Sequence, residues 1–126
     1  NKEGAEFLAS HVNKDGYDVE FIEVPNSTLH LTTICSSPRE GTIIAAEGHL
    51  KESQISKFAE EIIWIPNNES YASNTIGYSN DRLIVAAGFP KTKNILQNEG
   101  FRLMSVDMAP IMQADGSLTC LSVYTS

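Results

Sequence analysis

Apolar and polar positions along the chain follow helical and strand periods in turn, which predicts short helices and short strands in succession. Two amphipathic helical stretches have their apolar side chains on one side: Ala5, Phe7, Leu8 and Val12 in the first, Ile95 and Leu96 in the second. Each stretch is followed by a glycine and an aromatic residue, a pair that is typical of a left-handed helix end leading into a strand. After the first pair, the mixed pattern of 19–24 predicts a strand that is covered on both sides along part of its length.

A second repeat appears in REGTIIAAEG (39–48) and NDRLIVAAGF (80–89), where a polar turn leads into a β-branched strand. Between them, KESQISKFAEEIIWIP predicts another short helix and strand. The pattern therefore predicts three units of helix, strand, loop, strand, turn and strand, which begin near residues 2, 51 and 90. The third unit lacks its last strand. Because a single such unit cannot bury its own apolar face, we expect a radial arrangement that belongs to a larger ring or pairs with a second copy.

Two middle strands are predicted at STLHLT (27–32) and GSLTCLS (116–122), and their alignment places His30 over Cys120. The corresponding point of the middle unit lies close to Asn74. Equivalent positions of a radial array meet at its axis, so we expect His30 and Cys120 to face each other there. The expectation depends on register, because a shift of one residue turns a strand side chain to the opposite face.

Composition and charge exclude several classes of function. The chain has 126 residues, which predicts one domain over 1–126, and a formal net charge of −7 without a basic cluster. Binding to nucleic acid or to an anionic membrane needs such a cluster, so neither partner is expected. No apolar run is long enough to span a bilayer, and nothing resembles a secretion signal. Two cysteines without CxxC spacing predict reduced thiols in the cytoplasm, with no metal site and no cofactor.

Three residues are candidates for chemistry, and each has an ordinary structural alternative. Cys120 is either a buried packing residue or a nucleophilic thiolate. His30 is either a core residue or a general acid and base, since imidazole titrates near neutral pH. Asp115 is either a turn residue before glycine or a carboxylate at the mouth of a pocket. Cys35 has the opposite strand parity to His30, which predicts a packing role.

Four segments together resemble one known family: STLHLTTICS, TIIAAEG, NDRLIVAAGFPKTKNILQNEGF and SVDMAPIMQADGSLTCLSV. They resemble the dimethylarginine dimethylaminohydrolases of the guanidino-group-modifying superfamily, and the similarity runs along nearly the whole chain. The resemblance implies an α/β pentein fold, a propeller-type ring of ββαβ units around a pseudo-symmetry axis. It implies that this chain is the C-terminal half of that fold and supplies about two and a half units.

The resemblance also implies roles for the candidate residues. His30 in LHL matches the family's catalytic histidine, Cys120 in LTC matches the nucleophile, and Asp115 in DG matches a residue at the substrate pocket. The implied reaction is hydrolysis of a small guanidino substrate such as dimethylarginine, through a covalent thiouronium on the cysteine. Arginine deiminases and glycine amidinotransferases have an aspartate two residues after the histidine, whereas this chain has Thr32, which favours the dimethylaminohydrolases.

The family's remaining catalytic residues lie in its first half. The acidic residues that bind the guanidinium, the carboxylate that orients the histidine and the arginine for the substrate carboxylate have no counterpart in this sequence. We therefore expect activity only in association with the missing N-terminal half. The alternative is a non-catalytic half-pentein that forms a homo-oligomer, covers its open strand edges and binds a small ligand or a partner.

Overall fold

The computed structural model describes residues 1–123 and 125, which form short helices and six strands. In chain order these elements are α1 Lys2–Val12, β1 Cys35–Arg39, β2 Thr42–Ala46, α2 Glu52–Ile55, β3 Glu61–Ile65, β4 Ile76–Tyr78, β5 Arg82–Ala86, α3 Pro90–Asn98, β6 Arg102–Val106 and α4 Ala109–Met112. Five 3₁₀ turns join them, at Asn13–Asp15, Leu31–Thr33, Ser56–Phe58, Asn67–Ser73 and Thr119–Leu121. Within this described part, no helix is both long enough and apolar enough to cross a bilayer.

The strands form two three-stranded sheets that repeat one ββαβ unit. In the first sheet, β1 and β2 are an antiparallel hairpin, and β3 returns through α2 to lie parallel to β2, with Thr42 opposite Glu61. In the second sheet, β4 and β5 form the hairpin, and β6 returns through α3 parallel to β5, with Arg82 opposite Arg102. The internal repeat predicted between 39–48 and 80–89 is confirmed, since these segments contain β2 and β5 in equivalent places.

The two hairpins turn on residues that accept a left-handed backbone. Gly41 has φ of 72° between β1 and β2, whereas Asn80 and Asp81 have φ of 63° and 54° between β4 and β5. Consecutive left-handed residues match the twist of an antiparallel hairpin, and asparagine, aspartate and glycine tolerate this conformation best. The local sequence therefore sets the position of both turns.

The two sheets meet along β1 and β4 and share one apolar core. Gly77 of β4 lies so close to β1 that a Cβ atom there would stand 1.7 Å from the carbonyl oxygen of Pro38. Side chains from both units and from α3 then fill one buried cluster, which contains Ile44, Ile63, Ile65, Leu83, Val85, Leu96 and Phe101. The units are thus packed against each other, as expected for repeats that cannot bury an apolar face alone.

Three predicted strands are wrong. The segment 19–24 is irregular, and the segments 27–32 and 116–122 contain 3₁₀ turns in place of strands. Within these segments Phe21, Leu29 and Leu121 are exposed, whereas Ile22, Leu31 and Leu118 pack against the core. The predicted two and a half units, beginning near 2, 51 and 90, are therefore corrected to two ββαβ units whose strands begin at 35 and 76 in the described residues. His30 and Cys120 lie outside both sheets.

Candidate functional site

Three irregular segments of the chain converge on the buried amide of Asn74, which is 1% exposed. Its Nδ2 donates to the carbonyl oxygen of Thr32 at 2.5 Å and to Oγ1 of Thr119 at 2.8 Å. Its Oδ1 accepts from the backbone N–H of Thr119 at 3.0 Å. Thr32 lies two residues after His30, and Thr119 immediately precedes Cys120. One side chain therefore joins the two segments that carry the candidate catalytic residues.

The neighbouring Ser73 strengthens the same junction. It is fully buried, and its Oγ lies 2.7 Å from the carbonyl oxygen of Ser70 and 3.3 Å from that of Thr33. Its own carbonyl oxygen accepts from Oγ of Ser36 on β1. Buried polar groups that are all paired hold a segment in one arrangement. The loop that follows His30 is thus fixed to the first sheet.

His30 stands at the start of the 3₁₀ turn Leu31–Thr33, with an extended backbone. Its carbonyl oxygen accepts from both the N–H and the hydroxyl of Thr33, at 3.0 and 2.6 Å. The side chain is exposed and lines an open depression of about 650 Å³, together with Cys120. The structure thus brings these two residues to one depression, and a core position for His30 is wrong.

Cys120 lies within the 3₁₀ turn Thr119–Leu121 and is exposed, so a buried packing role is wrong for this residue. Its Sγ is 3.3 Å from Oγ of Ser117, and its N–H donates to the carbonyl oxygen of Ser117 at 3.1 Å. Hydrogen bonding by the Ser117 side chain, followed by that of the Ser117 backbone, lowers the pKa of the Cys120 thiol. A lower pKa raises the thiolate fraction near neutral pH, and the thiolate is the nucleophile.

Cys35 differs from Cys120 in its exposure and in the direction in which its pKa is shifted. It is partly buried on β1 and packs against the cluster around Ile34 and Leu50. Burial raises the pKa of the Cys35 thiol to about 11. Such a thiol stays protonated and unreactive near neutral pH. The packing role predicted for Cys35 agrees with this environment.

Asp115 lies in a left-handed turn that ends α4, with φ of 57°. Its N–H donates to the carbonyl oxygen of Met112, and the N–H of Gly116 donates to that of Ile111. The exposed side chain lines a cavity of about 390 Å³, which Leu29, Asn74 and Ser117 also line. Leu29 lies between this cavity and the His30–Cys120 depression, because it lines both. Asp115 is therefore a turn residue that also faces the space beside the candidate pair.

Tyr71 and Ser117 lie at the site and were not among the candidate residues predicted from the sequence. Tyr71 donates its hydroxyl to the carbonyl oxygen of Gly116 at 2.8 Å, and its pKa is raised by burial and by the charge on Cys120. Ser117 contacts the sulfur directly. The signal available for Ser117 is its spacing, because residues three apart align on one face of a 3₁₀ turn.

In the part of the chain that the structure describes, several acidic side chains form ion pairs with lysine or arginine, and none belongs to a metal-ligand cluster. Among the described residues, no group of three or more histidine, cysteine, aspartate or glutamate side chains is placed to hold a metal ion. Ion pairs found there join Lys2 to Glu6, Arg39 to Glu61 and Asp81, and Lys57 to Glu20. None of these pairs supplies a carboxylate to His30.

Comparison with known proteins identifies relatives over nearly the whole chain. No protein-family model matches the chain. It is 31% identical over 123 residues to the N(G),N(G)-dimethylarginine dimethylaminohydrolase of Pseudomonas aeruginosa, a match that covers 98% of this chain and 47% of that protein. The structure of the Pseudomonas aeruginosa protein as a cysteine-to-serine mutant complexed with citrulline agrees with a TM-score of 0.83 at 30% identity, covering 95% of this chain and 46% of that one. The chain is a homologue of the dimethylarginine dimethylaminohydrolases.

The homology confirms the resemblance found in the sequence. The α/β fold is shared more widely, because an amidinotransferase of Microseira wollei from saxitoxin biosynthesis matches with a TM-score of 0.79 at 21% identity, covering 100% of this chain and 41% of that one. The chain thus shares its fold with this amidinotransferase as well as with the dimethylarginine dimethylaminohydrolase. It spans about half the length of the dimethylarginine dimethylaminohydrolase and of the second curated relative that it matches.

Proposed function

We propose that this chain is the C-terminal half of a cysteine-dependent hydrolase that converts dimethylarginine, or a related alkylguanidine, to a ureido product and an amine. The observation that supports it best is the shared depression, where an exposed thiol of lowered pKa and an exposed imidazole lie on two segments joined by Asn74. The homology to dimethylarginine dimethylaminohydrolases supports the substrate class. A nucleophile beside a general acid and base is the arrangement that acyl- and amidino-type substitutions need.

In the proposed reaction, the Cys120 thiolate attacks the central carbon of the guanidinium, and the carbon–nitrogen bond to the dimethylamino group breaks. Protonated His30 gives its proton to the departing nitrogen, so that dimethylamine leaves as a neutral molecule. The substrate is then held on sulfur as a thiouronium. His30, now neutral, takes a proton from water as the oxygen attacks that carbon, and the thiolate departs. The ureido oxygen loses its remaining proton to the solvent, where dimethylamine takes it up. The products are therefore citrulline and dimethylammonium, and Cys120 and His30 return to their starting states.

Charge around the site favours a cationic substrate. The chain has a formal net charge of −7, and the Asp115 carboxylate lines the cavity beside the catalytic pair. A guanidinium beside the sulfur also stabilises the thiolate, since an opposite charge within a few ångströms favours the ionised form. We therefore assign Asp115 to substrate binding, as the residue that draws the cation toward Cys120.

We further propose that the two ββαβ units form part of a larger pentein propeller that a missing N-terminal half completes. The chain spans 47% of the dimethylarginine dimethylaminohydrolase it matches. Large apolar side chains remain exposed outside the two sheets, namely Phe7, Leu8, Phe21, Leu29 and Val123. Burial of such side chains is favourable, and we assign them to contacts with that half. The mechanism also requires a reduced thiol, which the cytoplasm provides.

The test is turnover of dimethylarginine by the complete gene product, with citrulline and dimethylamine both measured. We expect Cys120→Ser to lower the turnover rate by about a thousandfold or more, because a hydroxyl without a strong base is a poor nucleophile. Cys35→Ser is the matched control and should retain the parent rate. Undiminished turnover in Cys120→Ser would rule out the proposed mechanism.

A second candidate function follows from the same exposed apolar residues. A half-pentein without catalytic activity could persist as a homo-oligomer that covers them and binds a small ligand or a partner. Light scattering and alkylation by 2-chloroacetamidine separate the two functions. A higher-order assembly whose Cys120 is inert to the reagent supports the binding protein, whereas rapid alkylation of Cys120 supports the hydrolase.

A further inference from the structure

We propose that the hydroxyl of Ser117 is a positioning hydrogen-bond donor, which holds the Cys120 sulfur as a thiolate facing the depression that His30 lines. The inference rests on the proposed function for the reaction that the thiolate performs. The hydrogen bond joins a buried hydroxyl to an exposed sulfur. Its effect on the ionisation of the thiol can be measured without any substrate.

The contact is built by the local backbone. Ser117 and Cys120 are three residues apart at a 3₁₀ turn, where side chains with this spacing lie one above the other. The N–H of Cys120 donates to the carbonyl oxygen of Ser117 at 3.1 Å, which closes the turn. The two side chains are then brought together with 3.3 Å between Oγ and Sγ. Further along the turn, Ser122 donates its hydroxyl to the carbonyl oxygen of Leu118 instead.

The burial of Ser117 gives this contact a direction. Ser117 is 3% exposed, and its side-chain oxygen has the Cys120 sulfur as its hydrogen-bond partner among the described residues. With a protonated thiol, either group can donate, and sulfur is weak in both roles. A thiolate can only accept, so deprotonation turns the contact into a charge-assisted hydrogen bond from the hydroxyl. A buried hydroxyl therefore gains most when the sulfur is ionised.

Backbone groups of Ser117 and Cys120 also stabilise the sulfur, but the Ser117 hydroxyl makes the largest contribution. The nearby phenol of Tyr71 is already committed, because it donates to the carbonyl oxygen of Gly116. Burial raises the pKa of Tyr71, and negative charge on Cys120 raises it further. The phenol therefore stays protonated. Hydrogen bonding by Ser117 is also the main cause of the lowered pKa of the Cys120 thiol.

The experiment measures the rate of Cys120 alkylation by iodoacetamide as a function of pH, in the complete gene product. Mass spectrometry of the peptide that contains Cys120 separates its reaction from that of Cys35. Ser117→Ala should move the midpoint of the rate profile upward by about one pH unit, which lowers the alkylation rate about tenfold at pH values below both midpoints. Ser122→Ala removes a hydroxyl from the same turn without contact to the sulfur, and its midpoint should equal that of the parent.

Two further variants complete the design. Ser117→Thr keeps the hydroxyl and should restore the parent midpoint at least in part. Ser117→Gly removes the same hydroxyl as the alanine variant and provides a second measurement if that variant fails to fold. An unchanged midpoint in a folded variant that lacks the hydroxyl overturns the inference, as does an equal shift in Ser122→Ala.

Failure of this inference is distinguishable from failure of the proposed function. If the midpoint moves as expected while the parent protein releases no citrulline from dimethylarginine, the hydrolase function fails and the thiolate donor stands. If the midpoint stays fixed while Cys120→Ser abolishes turnover, the donor role fails and the hydrolase stands.

Discussion

Asn74 and Thr119 are joined by a reciprocal pair of hydrogen bonds, from Nδ2 to Oγ1 at 2.8 Å and from the Thr119 N–H to Oδ1 at 3.0 Å. The same Nδ2 also donates to Thr32, in the turn after His30. The relative placement of His30 and Cys120 thus depends on an amide that belongs to neither segment. Because the amide is buried, its removal would leave its partners in Thr32 and Thr119 without a hydrogen bond from water in its place.

Asn74→Ala should lower both stability and turnover. We expect a loss of about 1–3 kcal/mol in the free energy of unfolding, since buried partners on two segments lose their hydrogen bonds. We expect kcat to fall about 10- to 100-fold, more than KM rises, because small misplacement of reacting groups slows the chemical step. Urea unfolding and dimethylarginine kinetics on the complete gene product measure the two effects.

The matched control for Asn74 is Asn67→Ala. Asn67 is exposed, its Oδ1 lies 3.0 Å from Nε2 of His49, and neither residue lines the depression of His30 and Cys120. Its removal should change stability by less than about 0.5 kcal/mol. Parent kinetics in Asn74→Ala, or an equal loss in Asn67→Ala, would show that the amide does not position the site.

Glu69 should make stability depend on acidic pH. Its carboxylate is buried, and it accepts from the N–H and the hydroxyl of Thr92 at 2.7 and 2.8 Å and from the N–H of Lys91 at 3.3 Å. Burial alone raises the pKa of this carboxyl, but the hydrogen bonds from Thr92 and Lys91 outweigh it and lower the pKa. The folded protein therefore gains stability above the pKa of the unfolded carboxyl, roughly 4.3, and loses it as the pH falls through the lower folded value.

Urea unfolding between pH 7 and pH 3 measures this contribution. Glu69→Gln should lower stability by about 1–3 kcal/mol at pH 7 and should flatten the acid dependence. Glu40→Gln, at an exposed position, should retain the parent dependence. A parent-like acid profile in Glu69→Gln would contradict the assigned role of the carboxylate.

Gly77 should tolerate no side chain, because β4 lies against β1 at this point. A Cβ atom would stand 1.7 Å from the Pro38 carbonyl oxygen, so one strand has to move. Gly77→Ala should cost at least about 1–3 kcal/mol of unfolding free energy, as other overpacked sites do. Gly4→Ala in α1, where the nearest atom is an asparagine oxygen at 3.1 Å, should cost little or stabilise the helix. Thermal unfolding compares the two variants. Equal melting temperatures for Gly77→Ala and Gly4→Ala would refute the close packing of the two sheets.

The hairpins were predictable from sequence because their signals are local. The β-branched runs of 42–46 and 82–86 follow residues that accept a left-handed backbone, and both signals lie within a few positions of each other. The segments around His30 and Cys120 have the same alternation without a partner strand among the described residues. Leu29 and Leu121 are exposed there, and the chain closes into 3₁₀ turns. The alternation of apolar and polar residues does not show whether a partner strand is present.

The candidate site was predictable only in its reacting groups. His30 and Cys120 are identified by their motifs and by the alignment of two segments, and Asn74 was placed at the equivalent point of the middle unit. The hydrogen bonds that Asn74 and Ser117 make depend on how distant segments and one tight turn are arranged in space. A strand assignment for 116–122 would have pointed Ser117 and Cys120 to opposite faces.

The central claim is that Cys120 and His30 act together on a guanidinium, and dimethylarginine turnover in the two single variants and the double variant tests it most directly. In the complete gene product, Cys120→Ser and His30→Ala should each abolish nearly all citrulline release. The double variant should be no slower than the slower single variant, because residues that act as one unit are not additive. Parent-level release in either single variant, or independent losses that multiply in the double variant, would contradict the account.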